Sequence, residues 1–124
     1  MKTHITFVRR SFCALIAGLL IGCDSETQSY PLDKELARAS VKRAMQAWVD
    51  GKQPKDLKPD VIVGDSGWEA GKKLLSFEIL PEEFTDGSNL HITVVRKFDG
   101  GGKSGESKVT YIVGTSPVVT IFPQ

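Results

Sequence analysis

The residues able to do chemistry are few. The 124-residue chain has two histidines and two cysteines, which bounds proton transfer and sulfur chemistry tightly. His91 is the one side chain after residue 23 suited to proton exchange near neutral pH. If Asp86-Gly87 is the two-residue turn of a hairpin, Thr85 pairs with Ser88, and counting outward sets Glu82 opposite His91. Cross-strand neighbours stand about 5 Å apart, close enough for a carboxylate–imidazole contact. His91 has the parity opposite to Ile92 and Val94 and should face away from any helix that covers them. Arg96 shares their parity, so it is a polar intruder on the apolar side; it either snorkels out at the strand end or needs an acidic partner inside. Trp68 lies in the bend of residues 66–71 (SGWEAG), where it plugs the end of a sheet or forms an exposed recognition patch. Together His91, Glu82, Trp68 and Arg96 are the candidate binding face. Glu82 and Glu83 are adjacent on a strand and point to opposite faces, so they make no acid–base pair. One histidine with scattered carboxylates is a poor metal set. No catalytic residue, metal ligand or cofactor is assigned.

Two phrases look catalytic and fail on their surroundings. Gly64-Asp65-Ser66-Gly67 spells the tetrapeptide around the nucleophile of trypsin-like serine proteases, but Trp68 stands where that family continues with another residue, and the chain is too short for its two barrels. A turn in which Asp65 or Ser66 caps backbone N–H groups is the simpler reading. Gly100-Gly101-Gly102-Lys103-Ser104 resembles the end of a phosphate-binding P-loop. Position 97 holds lysine where the motif needs glycine, and a strand follows where it needs a helix. No nucleotide is expected.

The elements that position these side chains follow from periodicity. Residues 32–49 place Leu36, Ala37, Val41, Ala44, Met45 and Trp48 at three- and four-residue spacing, the stripe of an amphipathic helix. Pro31 and Asp33 suit its start and Asp50-Gly51 its stop. Pro54 and Pro59 make residues 52–60 a connector. Alternation then replaces helical spacing. Val61 to Val63 is a short run ended by Gly64; residues 73–80 put Leu75, Phe77 and Ile79 on one face; residues 90–98 put Leu90, Ile92, Val94 and Phe98 there. Residues 109–113 and 118–122 complete the set, and Pro117 before the last run predicts an edge strand or a bulge. The fold class is α+β: one N-terminal helix packed on a curved, mostly antiparallel meander of four to five strands. This order resembles the cystatin-like and nuclear-transport-factor-2-like folds, and residues 44–57 (AMQAWVDGKQPKDL) are similar to a helix-end phrase common there. Enzymes of that kind close a pocket with further helices, and one is found here.

The first segment reads as an address. Lys2, Arg9 and Arg10 precede a twelve-residue apolar run, residues 11–22, about 18 Å as a helix and too short for a ~30 Å hydrocarbon core. The run ends Leu20-Ile21-Gly22-Cys23, which resembles the lipobox of bacterial lipoproteins. In that family cleavage falls between the residues matching Gly22 and Cys23, and the cysteine sulfur carries a diacylglyceryl group. The resemblance implies a signal peptide at 1–22, a tether at 23–31 with lipid (fatty acyl chains such as palmitate) on Cys23, and a single domain at 32–124. Asp24 slightly favours the inner membrane. The expected location is the cell envelope, anchored to a bacterial membrane and facing the periplasm or exterior. The whole looks like small uncharacterised bacterial lipoproteins, a resemblance that carries no activity.

Without the three basic leader residues, 13 basic side chains face 15 acidic ones. That balance lacks the positive excess of a nucleic-acid binder. The expected partner is an envelope protein or peptide, taken up by the open sheet face and by an edge strand at 118–122. The alternative is a small cystatin-like or nuclear-transport-factor-2-like enzyme or carrier with a helix–sheet pocket lined by His91, Arg96 or an acid. Replacing Cys23 by Ser in the full chain is expected to abolish acylation and move the protein from the membrane to the soluble fraction, as read by intact mass and detergent partitioning.

Overall fold

The computed structural model describes residues 31–100 and 105–124. Gly22, Cys23, Asp24, most of the tether and residues 101–104 of the glycine loop lie outside the described residues.

Helix α1 spans Lys34–Val49. The Asp33 carboxylate accepts from the Leu36 N–H at 3.0 Å, satisfying one of the free donors of the first turn. Ala37, Val41, Ala44 and Met45 are wholly buried on the sheet side, with Ser40, Ala47 and Trp48 nearly so. The many small side chains let the helix lie close to the strands. Leu36, expected in the stripe, is 42% exposed on its rim. The helix stops at Gly51, whose φ of +86° is open to glycine at no steric cost. Gly51 N–H donates to the Trp48 carbonyl and Lys52 N–H to the Ala47 carbonyl, the paired bonds of a Schellman cap.

The connector is more ordered than its prolines suggest. Pro54–Leu57 form a 3₁₀ turn that buries Pro54 and Leu57, and the Gln53 N–H donates to Asp56 at 2.8 Å. Strand β1 is Val61–Val63. A one-turn helix, α2, follows at Ser66–Glu69. Then come β2 (Leu74–Asp86), β3 (Asn89–Phe98), β4 (Glu106–Gly114) and β5 (Val119–Pro123). They form a five-stranded sheet in the order β1-β5-β4-β3-β2, with β1 and β5 parallel and the other pairs antiparallel. The α+β class with one helix on a mostly antiparallel sheet therefore holds.

Three expectations change. First, β5 is not an edge: β1 returns to lie beside it, and the edges are β1 and β2. Pro117 precedes the strand and so takes no ladder position. Second, Leu75 does not share a face with Phe77. Leu74 is 1% exposed and Leu75 49%, because the β2–β3 register shifts between Leu74 and Ser76 and the extra residue swings outward. Third, the β2–β3 turn is Gly87-Ser88, since Asp86 pairs with Asn89. Gly87 has φ +56° and Ser88 is not at positive φ, the pattern that places glycine first rather than second in a two-residue hairpin. The register expected from Asp86-Gly87 is nevertheless the one seen from Ser76↔Lys97 to Ile79↔Val94. It is offset by two residues beyond Pro81, which has no N–H for the ladder. Phe84, not Glu82, stands opposite His91.

The core between helix and sheet is built from α1, Leu57, Val61, Val63, Trp68, Leu74 and the inward residues of β3, β4 and β5. Among the described residues no helix is long and apolar enough to cross a membrane. Leu74→Ala is expected to cost about 2–4 kcal/mol of unfolding free energy, and Leu75→Ala under about 0.5 kcal/mol. Urea titration of the two variants distinguishes the bulged register from simple alternation.

Candidate functional site

The helix covers one face of the sheet, and the chain's own register decides what the other face presents. Reading across the strands, Phe84 pairs with His91, His91 with Ile112, and Ile112 with Phe122. Among the described residues nothing covers this row, which runs over the face opposite α1. Phe84 is 61% exposed and Phe122 44%, while His91 and Ile112 are half-buried. The Phe122 ring lies against Gly64, where an added Cβ would stand 2.5 Å from it. Glycine at 64 is therefore what lets the end of the row lie flat.

Beside the row is a shallow hollow of about 280 Å³ lined by Glu82, Glu83, Phe84, His91, Thr93, Thr110 and Gln124. The Thr93 and Thr110 hydroxyls hydrogen-bond across its floor at 3.0 Å. The imidazole sits under the Phe84 ring, centroids 4.9 Å apart. Its Nδ1 lies within hydrogen-bond distance of the Gln124 side-chain oxygen, at 3.1 Å. Nε2 is buried with no hydrogen-bond partner, and the Asp86 carboxylate stands 3.7 Å from it. The Glu83 carboxylate pairs with Arg38 of α1 at 3.0 Å. Among the described residues Glu82 and Asp86 have no lysine or arginine within 4.0 Å. His91 thus faces away from the helix, as its parity requires. Glu82 borders the same hollow without being its direct neighbour across the strands.

Trp68 and Arg96 lie elsewhere, inside. Arg96 finds the acidic partner its parity demands: Nη1 donates to Asp65 Oδ2 at 3.3 Å and to the Tyr111 hydroxyl at 3.2 Å, while Nε and Nη2 donate to Ser107. The Tyr111 hydroxyl donates to Asp65 at 2.6 Å. The other oxygen of Asp65 accepts from the Gly67 and Trp68 N–H groups at the start of α2. Asp65 is therefore the cap that Gly64-Asp65-Ser66-Gly67 suggested, and also the counter-ion of Arg96. Burial, then the bond to the Asp65 carboxylate, push the Tyr111 phenol well above its ordinary range, with Arg96 opposing in part. Such a network holds its strands together and offers a ligand no free group.

Trp68 is 2% exposed. Its ring stacks on Trp48 at 5.2 Å and 5°. Each indole N–H donates at 2.7 Å to a carbonyl in the other's cap: Trp48 to Lys72, Trp68 to Lys52. Helix α2 ends as α1 does, with Gly71 at φ +90° and bonds from Gly71 and Lys72 back to Trp68 and Gly67. The reciprocity has a sequence signal that the reading of single motifs misses: Trp48-Val-Asp-Gly51-Lys52 and Trp68-Glu-Ala-Gly71-Lys72 are the same Trp-x-x-Gly-Lys phrase. The four residues of the candidate binding face thus divide: His91 and Glu82 border one outer hollow, and Trp68 and Arg96 are internal structure.

No family model, no curated protein and no solved structure matches this chain. Among the described residues no group of three or more His, Cys, Asp or Glu side chains is placed to hold a metal ion.

Asp65→Asn leaves the Arg96 guanidinium without its charge partner and is expected to cost about 3 kcal/mol or more, read from the urea midpoint. The native state keeps Tyr111 protonated, whereas the unfolded phenol ionises from about pH 10. The unfolded state then binds fewer protons, so stability is retained below that pH and falls as pH rises through it. The fall is expected to be shallower in Tyr111→Phe when unfolding is compared at pH 8 and pH 11.

Proposed function

We propose that this chain is a lipid-anchored bacterial envelope protein whose open sheet face binds a protein or peptide partner. Cys23 is the anchor, exposed by cleavage after Gly22, and Asp24 favours the inner membrane. The observation that carries the binding reading is the uncovered row Phe84–His91–Ile112–Phe122 with the hollow beside it. Two exposed phenylalanines flanking a half-buried histidine are costly to leave in water and useful at an interface core. The partner lies across the face rather than adding a strand at β5, because β5 already has neighbours on both sides. The free edge β2 is a poor template for strand addition, broken at Pro81 and carrying Glu78, Glu82, Glu83 and Asp86.

The enzyme or carrier alternative asks for a pocket between helix and sheet. His91 is on the far side of the sheet, Arg96 is committed to Asp65, Tyr111 and Ser107, and the sheet side of α1 is wholly packed. The binding-module reading is the better supported. Its test is a photo-crosslinking residue placed at position 84, 122 or 42 of the full-length lipidated chain in intact envelopes. Positions 84 and 122 are expected to give the same discrete adduct, and position 42, on the exposed side of α1, none. Adducts of equal yield from all three positions, or none at 84 and 122, would defeat the reading.

A further inference from the structure

We propose that the hollow beside His91 takes the side chain of a lysine from the bound partner, its ammonium held between His91 Nε2 and Asp86. This inference rests on the peptide-binding reading and names the chemistry that the face selects. It starts from an atom with an unmet need. The Gln124 side-chain oxygen, an acceptor, lies 3.1 Å from Nδ1, and in the tautomer that carries its proton there the free lone pair is on Nε2. That nitrogen is buried and has no partner, a cost that a donor would relieve. The nearest charged group is the Asp86 carboxylate, another acceptor, 3.7 Å away. Two acceptors at that spacing do not satisfy one another. A single N–H-rich cation at about 2.8–3.0 Å from each satisfies both.

The surroundings favour a lysine over a lone cation. Glu82 borders the hollow and, like Asp86, has no lysine or arginine within 4.0 Å among the described residues. The opposite end of this face is balanced: Lys97 stands across from Glu106, and Lys108 shares a row with Val95 and Glu78. The negative charge is therefore concentrated where the orphan nitrogen is. Phe84, 61% exposed and packed on the imidazole, offers an apolar wall to a four-carbon stem and a π-face to its charge. Asp86 is 69% exposed at its side chain, so it can turn aside to uncover Nε2 and close again over the ammonium.

The experiment uses full-length lipidated protein in detergent micelles, ¹⁵N-labelled at histidine, so that the mature chain reports through His91 alone. The probes are Nα-acetyl-lysine methylamide and Nα,Nε-diacetyl-lysine methylamide, which differ in the ammonium group. The charged probe is expected to move the Nε2 resonance and to bind about tenfold more tightly than the diacetylated one, the worth of one charge-assisted hydrogen bond. Asp86→Asn and Glu82→Gln, both on exposed side chains, should shrink that preference, and His91→Phe should abolish it. Equal response to both probes, or an unmoved Nε2 resonance, would overturn the lysine site. If the adducts at positions 84 and 122 persist in that case, the face still binds a polypeptide and only the assigned side chain is wrong.

Discussion

The fold depends on two indole rings that hold each other's helix ends. Trp48 closes α1 and Trp68 closes α2, and each fills the hydrogen-bonding need of a carbonyl that the other's glycine turn leaves behind. A buried indole without a partner for its N–H is unfavourable, and a helix C-terminus without partners for its carbonyls is equally so. The reciprocal bonds satisfy both indole N–H groups together with the carbonyls of Lys52 and Lys72, one residue past each glycine. Around this pair the rest is arranged. Phe98 tilts against Trp48 at 5.4 Å, the Arg96 guanidinium lies 5.1 Å from the Phe98 ring, and Arg96 in turn anchors Asp65, the residue that starts α2. The short helix is thus fixed at its first residue by charge and at its last turn by aromatic packing.

This arrangement divides the molecule by face. The helix side is closed: Arg96 is held by Asp65, Tyr111 and Ser107, and Arg38 by Glu83 and the Leu80 carbonyl. Among the described residues the opposite side keeps a buried histidine nitrogen without a hydrogen-bond partner, two acids with no lysine or arginine within 4.0 Å, and two exposed phenyl rings. Natural folds tolerate such loose ends where a second molecule completes them. The His91 imidazole and the Arg96 guanidinium were candidates for one binding face in the sequence, yet their opposite parity separates their fates.

What was legible in the sequence was what local rules decide. Helix α1, its Asp33 cap and its Gly51 stop follow from spacing and capping chemistry, and the inward parity of Leu90, Ile92 and Val94 follows from alternation. The need of Arg96 for an acid was also legible, although the acid's identity was not, because Asp65 lies 31 residues away. Errors arose where long-range pairing overrides local pattern. The register beyond Pro81 slips by two residues, which keeps every side chain on its expected face while exchanging Glu82 for Phe84 beside His91. The place of β5 depends on β1, a three-residue strand too short to announce its partner. The paired Trp-x-x-Gly-Lys phrases were visible, but their meaning appears only when both helix ends meet.

The strand order also dictates when the protein can become whole. Among the described residues strand β1 has no neighbour in the sheet except β5, the strand furthest from it in sequence. Until residues 119–123 are available, Val61 to Val63 have no ladder to join, and the bend bearing Asp65 and Trp68 is tied to the sheet only through side chains. A polypeptide emerging from its N-terminal side therefore cannot complete this sheet piecemeal; closure waits on residues 119–123, which lie between β1 and β4. Such late closure makes completion of the sheet depend on a contact of high sequence separation, whose loop-closure entropy must be met before the contact stabilises the fold.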